Sequence, residues 1–141
     1  MRLWHKDLIS VLPKNQLCGQ WRECCLIAKA ISENGTPNHL LVNKIDDYSI
    51  FHFLAYCDIV IDEMRKRNFK VSTTKIEEIK HLFFIPAFEK IEKQNLFYDW
   101  HNDRYLRQCL YNLQEKYDCG GISETEWQPI VKMFKQLSSD I

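Results

Sequence analysis

The sequence predicts an all-α fold, a single-domain compact irregular helical bundle, and three observations support this prediction. Apolar residues recur at helical spacing along most of the chain. No segment alternates as a half-buried strand would, and helix start and stop signals flank the periodic segments. The 141 residues are 45% hydrophobic and 27% charged, an ordinary globular composition. We therefore expect one domain over residues 1–141, with an N-terminal arm over residues 1–12.

The first predicted helix runs from Pro13 to about Asn34. Proline suits a first helical turn because its missing N–H would be unpaired there, and Gly35 fits the C-terminal stop. Its apolar stripe comprises Leu17, Trp21, Cys24, Ala28 and Ile31. After a break at residues 36–38, a short helix is expected over residues 39–45.

The most apolar segment, about residues 49–68, is predicted to be the central buried helix. Its stripe follows the i, i+3, i+4, i+7 spacing of an amphipathic helix. The residues on that stripe are Ile50, Phe53, Leu54, Cys57, Val60, Ile61 and Met64.

Capping signals organise the second half of the chain. Residues 74–77 and 123–126 each have the pattern of a capping box, which opens a helix. Between them, Pro86 interrupts the first of these helices, and a further series of turns extends to about Gln94. Asp99 is expected to cap a helix over residues 100–117, which the stretch 119–121 ends. The last helix is expected to reach about Ser138.

Charge and hydropathy exclude several classes of protein. Basic and acidic side chains number 19 each, so the chain is not a strongly basic nucleic-acid binder. No apolar run approaches the ~18 residues of a membrane span. Lys6 and Asp7 stand where a signal peptide needs its apolar stretch, so a cytoplasmic location is expected.

The six cysteines are expected to be free thiols, several of them buried. None of them forms a C-x-x-C pair, and several fall on apolar helix faces. No cysteine pair has the spacing of a structural zinc site. We therefore expect neither a metal nor another cofactor.

Glu23 is the first candidate functional residue. On a helical wheel it lies beside the apolar stripe, and Gly19 and Gln20 lie one turn before it. A glycine inside a helix costs ~1 kcal/mol relative to alanine, and here it leaves room for a ligand to approach the carboxylate. A solvated glutamate, or a glycine required for close helix packing, remains the alternative.

Basic residues are concentrated near the N-terminus, together with aromatic ones. Residues 1–30 contain Arg2, Lys6, Lys14, Arg22 and Lys29 against Asp7 and Glu23, a net charge of +3 in a neutral chain. Trp4, His5 and Trp21 lie among them. Basic side chains interleaved with aromatic rings suit a phosphate backbone and an exposed base, although Trp21 lies on the stripe and is expected in the core.

Several segments resemble the pyrimidine-dimer DNA glycosylases typified by the phage enzyme endonuclease V. The most specific match is the N-terminal one, with Leu8-Ile9-Ser10, Leu12, Leu17 and Trp21-Arg22-Glu23 in register from the first methionine. Residues 52–71, HFLAYCDIVIDEMRKRNFKV, resemble the second long helix of the family. Residues 98–117, with His101 and the run from Asn112 to Lys116, resemble the third.

The resemblance implies a bifunctional DNA repair enzyme that acts on damaged double-stranded DNA without a metal. In the family, an N-terminal α-amine attacks C1′ of the damaged nucleotide, the base leaves, and the resulting Schiff base allows β-elimination of the strand. An α-amine has an ordinary pKa of ~7.7–8.0, against ~10.4 for lysine, so more of it is neutral and nucleophilic. The family's glutamate corresponds to Glu23, which assists proton transfer.

The same resemblance, with the basic excess, assigns the remaining site residues. Family members expose a threonine after methionine removal, whereas Arg2 here favours a retained Met1, which would then carry the catalytic amine. The expected DNA-binding residues are Arg2, His5, Lys6, Arg22 and Lys29. The family's aromatic, basic C-terminal tail is replaced by the capped helix from Ser123.

Other functions remain open on the sequence alone. The chain could be a non-catalytic all-α protein that binds nucleic acid or another protein through its N-terminal face. A different reaction that uses Glu23 with His5 is a third possibility. His5, His52 and His101 could also form a three-histidine site, which nothing in the sequence brings together.

Overall fold

The computed structural model describes residues 1–83 and 89–139, with side chains up to residue 137. All regular secondary structure in these ranges is helical, which confirms the all-α prediction. The five α-helices are α1 Lys14–Asn34, α2 Ile50–Lys66, α3 Thr73–Leu82, α4 Asp103–Asp118 and α5 Glu124–Ser139. Short 3-10 helices span Lys6–Val11, Asn43–Asp47 and Lys93–Asn95.

The central helix is α2, as the apolar stripe predicts. Phe53, Tyr56 and Val60 are fully buried on it, and Leu54 and Ile61 are nearly so. Helix α2 packs against α1 and against the 3-10 helix of the arm, while α3 packs against α1 and α4 contacts α5. The core therefore runs from the N-terminal arm through α2.

Helix α1 follows its predicted bounds closely. Its last residue is Asn34, and Gly35 adopts the left-handed conformation, with φ of 78°, and donates its N–H to the carbonyl of Ile31. Glycine alone lacks the Cβ that makes this conformation costly. The C-terminal stop is confirmed.

Three predicted helix starts are wrong, two of them because a neighbouring residue makes the cap. The short helix over 39–45 is instead the 3-10 helix Asn43–Asp47, after a turn in which Oδ1 of Asn43 accepts the N–H of His39. Helix α3 is capped by Ser72, whose hydroxyl accepts the N–H of Lys75, and not by Thr74. Helix α4 is capped by Asn102 and not by Asp99.

The late start of α4 has a physical reason in the preceding loop. Trp100 and His101 are buried, and Phe97 holds a left-handed φ of 49°, which is rare for an aromatic residue. The loop thereby turns Phe97, Trp100 and His101 into the core before the helix begins, while Tyr98 stays exposed. The predicted interruption at Pro86 lies outside the described residues.

The capping signal at the start of α5 is confirmed, and it also joins distant elements. The Ser123 hydroxyl accepts the N–H of Glu126 at 3.2 Å. Oε2 of Glu126 accepts the N–H of Lys14 at 2.8 Å, and this bond lowers the pKa of the Glu126 carboxyl. The first turns of α1 and α5 are therefore tied together.

The cysteines carry free thiols, and Cys24, Cys57 and Cys109 are buried. Burial raises the pKa of the Cys57 thiol, and Cys24 beside it raises it further. Within the described ranges, no helix combines the length and apolar character that crossing a lipid bilayer requires.

Candidate active site at Glu23 and the N-terminal arm

The N-terminal arm brings a backbone nitrogen against the Glu23 carboxylate. Glu23 lies half-buried on α1. The backbone N–H of Arg2 donates to Oε2 of Glu23 at 3.2 Å. Met1, the preceding residue, is 40% exposed. The first residues of the chain and the candidate carboxylate therefore meet at the surface end of a buried segment.

Gln20 holds the arm from the same helix, one turn before Glu23. Its side chain is 1% exposed. Nε2 donates to the carbonyl of Arg2 at 2.9 Å, and Oε1 accepts the N–H of Trp4 at 2.7 Å. The carboxamide therefore satisfies two backbone groups that are otherwise costly to bury.

Two tyrosines hold the arm from other helices. The Tyr56 hydroxyl, on α2, donates to the carbonyl of Trp4 at 2.6 Å and lies 3.0 Å from Oε1 of Gln20. The Tyr105 hydroxyl, on α4, donates to the carbonyl of Leu3 at 2.6 Å. Burial raises the pKa of both hydroxyls above the ordinary value for tyrosine. Both phenols therefore remain protonated donors.

Lys6 is not placed to contact DNA, contrary to the expectation for a basic arm. It is 7% exposed. Its Nζ donates to the carbonyls of Leu96 at 2.7 Å and Gln94 at 3.3 Å, and burial lowers its pKa. The Lys6 side chain runs inward, so its ammonium group lies against these carbonyls and not on the surface.

His5 is also buried, at 2% exposure, and serves the fold. Its Nδ1 accepts the N–H of Asp7 at 3.0 Å, which caps the 3-10 helix Lys6–Val11. Its ring stacks on that of His101 with centroids 5.1 Å apart, and burial lowers the pKa of His5. This position does not offer His5 to a phosphate group.

The histidines do not form the conceivable three-histidine site. The structure brings His5 and His101 together, whereas His52 accepts the N–H of Phe97 on Nδ1 at 3.1 Å. Among the described residues, no group of three or more His, Cys, Asp or Glu side chains could hold a metal ion.

The remaining candidate cations are Arg2, Arg22 and Lys29. The guanidinium of Arg2 lies 5.1 Å from the centre of the Trp4 ring, and Arg22 and Lys29 are exposed. In the part of the chain that the structure describes, no salt bridge neutralises any of the three. The charges of the exposed Arg22 and Lys29 are therefore available to an anionic partner, whereas Arg2 is half-buried.

Arg22 and Lys29 lie along one face of α1, because residues seven apart are separated by two turns. A Cβ on Gly19 would lie 3.7 Å from Nη2 of Arg22, an ordinary van der Waals contact, so the guanidinium does not require a glycine at this position. Lys29 lines a groove of about 780 Å³ between α1 and α3, which Cys25, Thr74 and Glu78 also line. That groove does not include Glu23.

Gln20 and Tyr105 hold the arm by hydrogen bonds, and neither was predicted as a site residue. Gln20 is i+3 from Leu17 and i−4 from Cys24, so a polar amide stands on the apolar stripe. A polar residue at a core position has to find hydrogen-bond partners, and that signal was present. Tyr105 offered none, because its partner is separated from it by 102 positions.

Comparison with known proteins gives the family. A family model described as pyrimidine dimer DNA glycosylase matches residues 1–77, a range that includes the arm, α1 and α2. No curated protein and no solved structure matches the chain. The matched range holds Glu23, Gln20 and the arm residues that they bind, whereas Tyr105 lies beyond it. The chain is a member of the pyrimidine dimer DNA glycosylase family.

Proposed function

We propose that the chain is an active DNA glycosylase with AP-lyase activity, which acts on damaged pyrimidines in double-stranded DNA. The N-terminal amine is the nucleophile and Glu23 is the catalytic carboxylate. The observation that supports this best is the 3.2 Å hydrogen bond between the nitrogen of residue 2 and Oε2 of Glu23. This bond puts the carboxylate next to the first residues of the chain, where it can accept a proton from the attacking N-terminal amine.

The proposed reaction begins with attack of the neutral amine on C1′ of the damaged nucleotide. The bond between C1′ and the base breaks, and the base leaves with the bonding electrons. The Glu23 carboxylate takes one amine proton, and the departing base takes a proton from solvent. The C1′–O4′ bond then breaks, O4′ takes the proton from Glu23, and a protonated Schiff base remains between C1′ and nitrogen. Removal of a proton from C2′ then expels the 3′ phosphate, which cuts the strand.

The amine belongs to Met1 if that residue is retained, as Arg2 favours. The hydrogen bond supports a second form of the same proposal, in which removal of Met1 turns the nitrogen of Arg2 into a primary amine. While Met1 is present, the Arg2 nitrogen is an amide, and an amide lacks the basic lone pair that attack requires. The two forms differ in the residue that becomes linked to DNA.

DNA contact in this proposal rests on Arg2, Arg22 and Lys29. Each cation that neutralises a phosphate releases a condensed counterion, which supplies affinity independent of sequence. The guanidinium of Arg2 makes a cation–π contact with the ring of Trp4. Lys6 and His5 contribute indirectly, because they hold the arm.

The test is borohydride trapping. The untagged chain is incubated with duplexes that carry an abasic site or a thymine dimer, and borohydride reduces the Schiff base to a permanent link. We expect a covalent complex, and mass spectrometry of its N-terminal peptide identifies Met1 or Arg2 as the linked residue. Acetylation of the amine should abolish trapping, because acylation removes the nucleophilic lone pair.

Other outcomes separate the alternatives. Binding to these duplexes without trapping or cleavage would favour a non-catalytic nucleic-acid-binding protein on the same scaffold. Trapping at an internal lysine would refute the amine assignment and retain the enzyme class. Absence of both binding and trapping would contradict the proposal.

A further inference from the structure

We infer that Gln20 and Tyr105 are positioning residues, which grip the arm from two opposite sides and thereby hold the nitrogen of residue 2 against Glu23. The inference rests on the proposed function, because the nitrogen matters for catalysis only if it or its neighbour is the nucleophile. Neither side chain would touch the reacting atoms. Both would act through the backbone of residues 2–4.

The first grip comes from α1. Arg2 directs its N–H to Glu23 and its carbonyl to Nε2 of Gln20, so both polar groups of one residue face the same helix. Trp4 directs its N–H to Oε1 of Gln20. The carboxamide therefore fixes residues 2 and 4 in one register along α1.

The second grip comes from α4. The carbonyl of Leu3 points away from Gln20 to the hydroxyl of Tyr105 at 2.6 Å. In an extended segment, successive residues direct their backbone groups to alternate sides, and residues 2, 3 and 4 follow that order. With contacts on both sides, the segment can neither slide along α1 nor rotate away from Glu23.

Positional precision of this kind matters for an amine nucleophile. A displacement of ~1 Å in the reacting geometry can reduce the rate about a hundredfold. Gln20 is fully enclosed, and its hydrogen bonds involve two backbone groups and the Tyr56 hydroxyl. Tyr105 is half-buried, so its hydroxyl can be removed while its ring remains packed.

The test compares Tyr105→Phe and Gln20→Met with the parent chain. The matched control is Tyr117→Phe, which removes a hydroxyl that is bonded to Glu124 and takes no part in the hydrogen bonds of residues 2–4. Single-turnover borohydride trapping on abasic duplex should slow about ten- to a hundredfold in both test variants. The dissociation constant for a duplex with an unreactive abasic analogue should stay within about twofold, because the DNA-facing cations are unchanged.

Hydrogen exchange provides a readout that does not depend on activity. In both test variants, the amide of Trp4 should exchange faster than in the parent, while the amides of α2 keep the parent's protection. Tyr105→Phe keeps the inference testable if Gln20→Met does not fold, since Phe fills the same space. The control should match the parent in every measurement.

The outcomes distinguish this inference from the proposed function. If the parent forms a trapped complex and both variants form it equally fast, Gln20 and Tyr105 are not positioning residues. If trapping and binding weaken together, the variants act through general loss of structure and the inference is overturned. If the parent forms no trapped complex, the proposed function fails and the catalytic part of the inference fails with it. Unchanged exchange of the Trp4 amide would then also remove the structural part.

Discussion

The backbone N–H of Lys6 donates a 2.9 Å hydrogen bond to Nδ1 of His101, and this bond fixes the protonation of the imidazole. A nitrogen that accepts carries no proton, so the neutral ring carries its proton on Nε2. Nε2 of His101 is buried without a hydrogen-bond partner among the described residues. A second proton on Nδ1 would break the bond to the arm.

Stability should therefore fall as the pH is lowered below neutrality. Burial, reinforced by the neighbouring charges of His5 and Lys6, lowers the pKa of His101 to about 2, whereas an unfolded histidine titrates near ~6.5. Between these values the unfolded state binds a proton that the folded state does not. The free energy of unfolding should drop by at most about 1.4 kcal/mol per pH unit on this account, as urea denaturation between pH 7 and pH 4 would measure.

The variant His101→Asn tests the source of this pH dependence. Asparagine keeps an acceptor near the position of Nδ1 and cannot titrate. Its stability should vary less with pH than that of the parent. Replacement of the exposed His81 by Asn should leave the slope unchanged. An equal slope in parent and His101→Asn would mean that other groups cause the acid sensitivity.

Replacement of Glu23 by Gln should reduce strand cleavage strongly while retaining the fold. Glutamine keeps the size of the side chain and its ability to accept the Arg2 N–H, but it cannot take up a proton. The expected loss in rate is about 10²- to 10⁴-fold, the range for a general acid–base group. Gel-based cleavage of abasic duplex measures it. Glu33→Gln, on the exposed end of the same helix, should cleave at the parent's rate.

The salt dependence of DNA binding should distinguish the exposed cations Arg22 and Lys29 from the buried Lys6. Arg22→Gln and Lys29→Gln should each reduce the slope of log K against log salt by about one, because each removes one phosphate contact. Lys6→Met should leave the slope unchanged and lower the melting temperature, because it leaves the Leu96 carbonyl unpaired. A reduced salt slope for Lys6→Met would contradict the buried position.

Truncation of a buried side chain on α2 should show that this helix is the centre of the core. Leu54 is 7% exposed, and Leu54→Ala should reduce the free energy of unfolding by about 2–5 kcal/mol. Leu26 is 58% exposed on α1, so Leu26→Ala should change it by less than about 0.5 kcal/mol. Comparable losses in the two variants would argue against this core.

Periodicity and local capping chemistry made most of the fold predictable. The stripe from Phe53 to Met64 identified the buried helix, and Gly35 identified the end of α1. Helix starts were harder, because Ser72 and Asn102 compete with neighbouring residues of similar chemistry and the sequence does not rank them. The loop before α4 depends on where Trp100 and His101 pack, which is decided by the rest of the core.

The candidate site was predictable only as far as local sequence determines it. The register of Glu23 with the N-terminus followed from the resemblance. The burial of Lys6 could not be foreseen, because lysine side chains are ordinarily exposed. Its partner Leu96 is also 90 positions away in the sequence. A surplus of positive charge in the sequence is therefore not the same as a positive surface.

The long sequence separation between the arm and two of its hydrogen-bond partners also delays these bonds during protein synthesis. Leu3 and Lys6 bond to Tyr105 and His101, residues 102 and 95 positions later. At ~5–20 residues per second, these partners are translated on the order of five to twenty seconds after the arm itself. Throughout that interval the N-terminus is open to peptidases and acetyltransferases at the ribosome. Enzymes that process the N-terminus of a nascent chain therefore meet residues 2–6 before their bonds to Tyr105 and His101 can form.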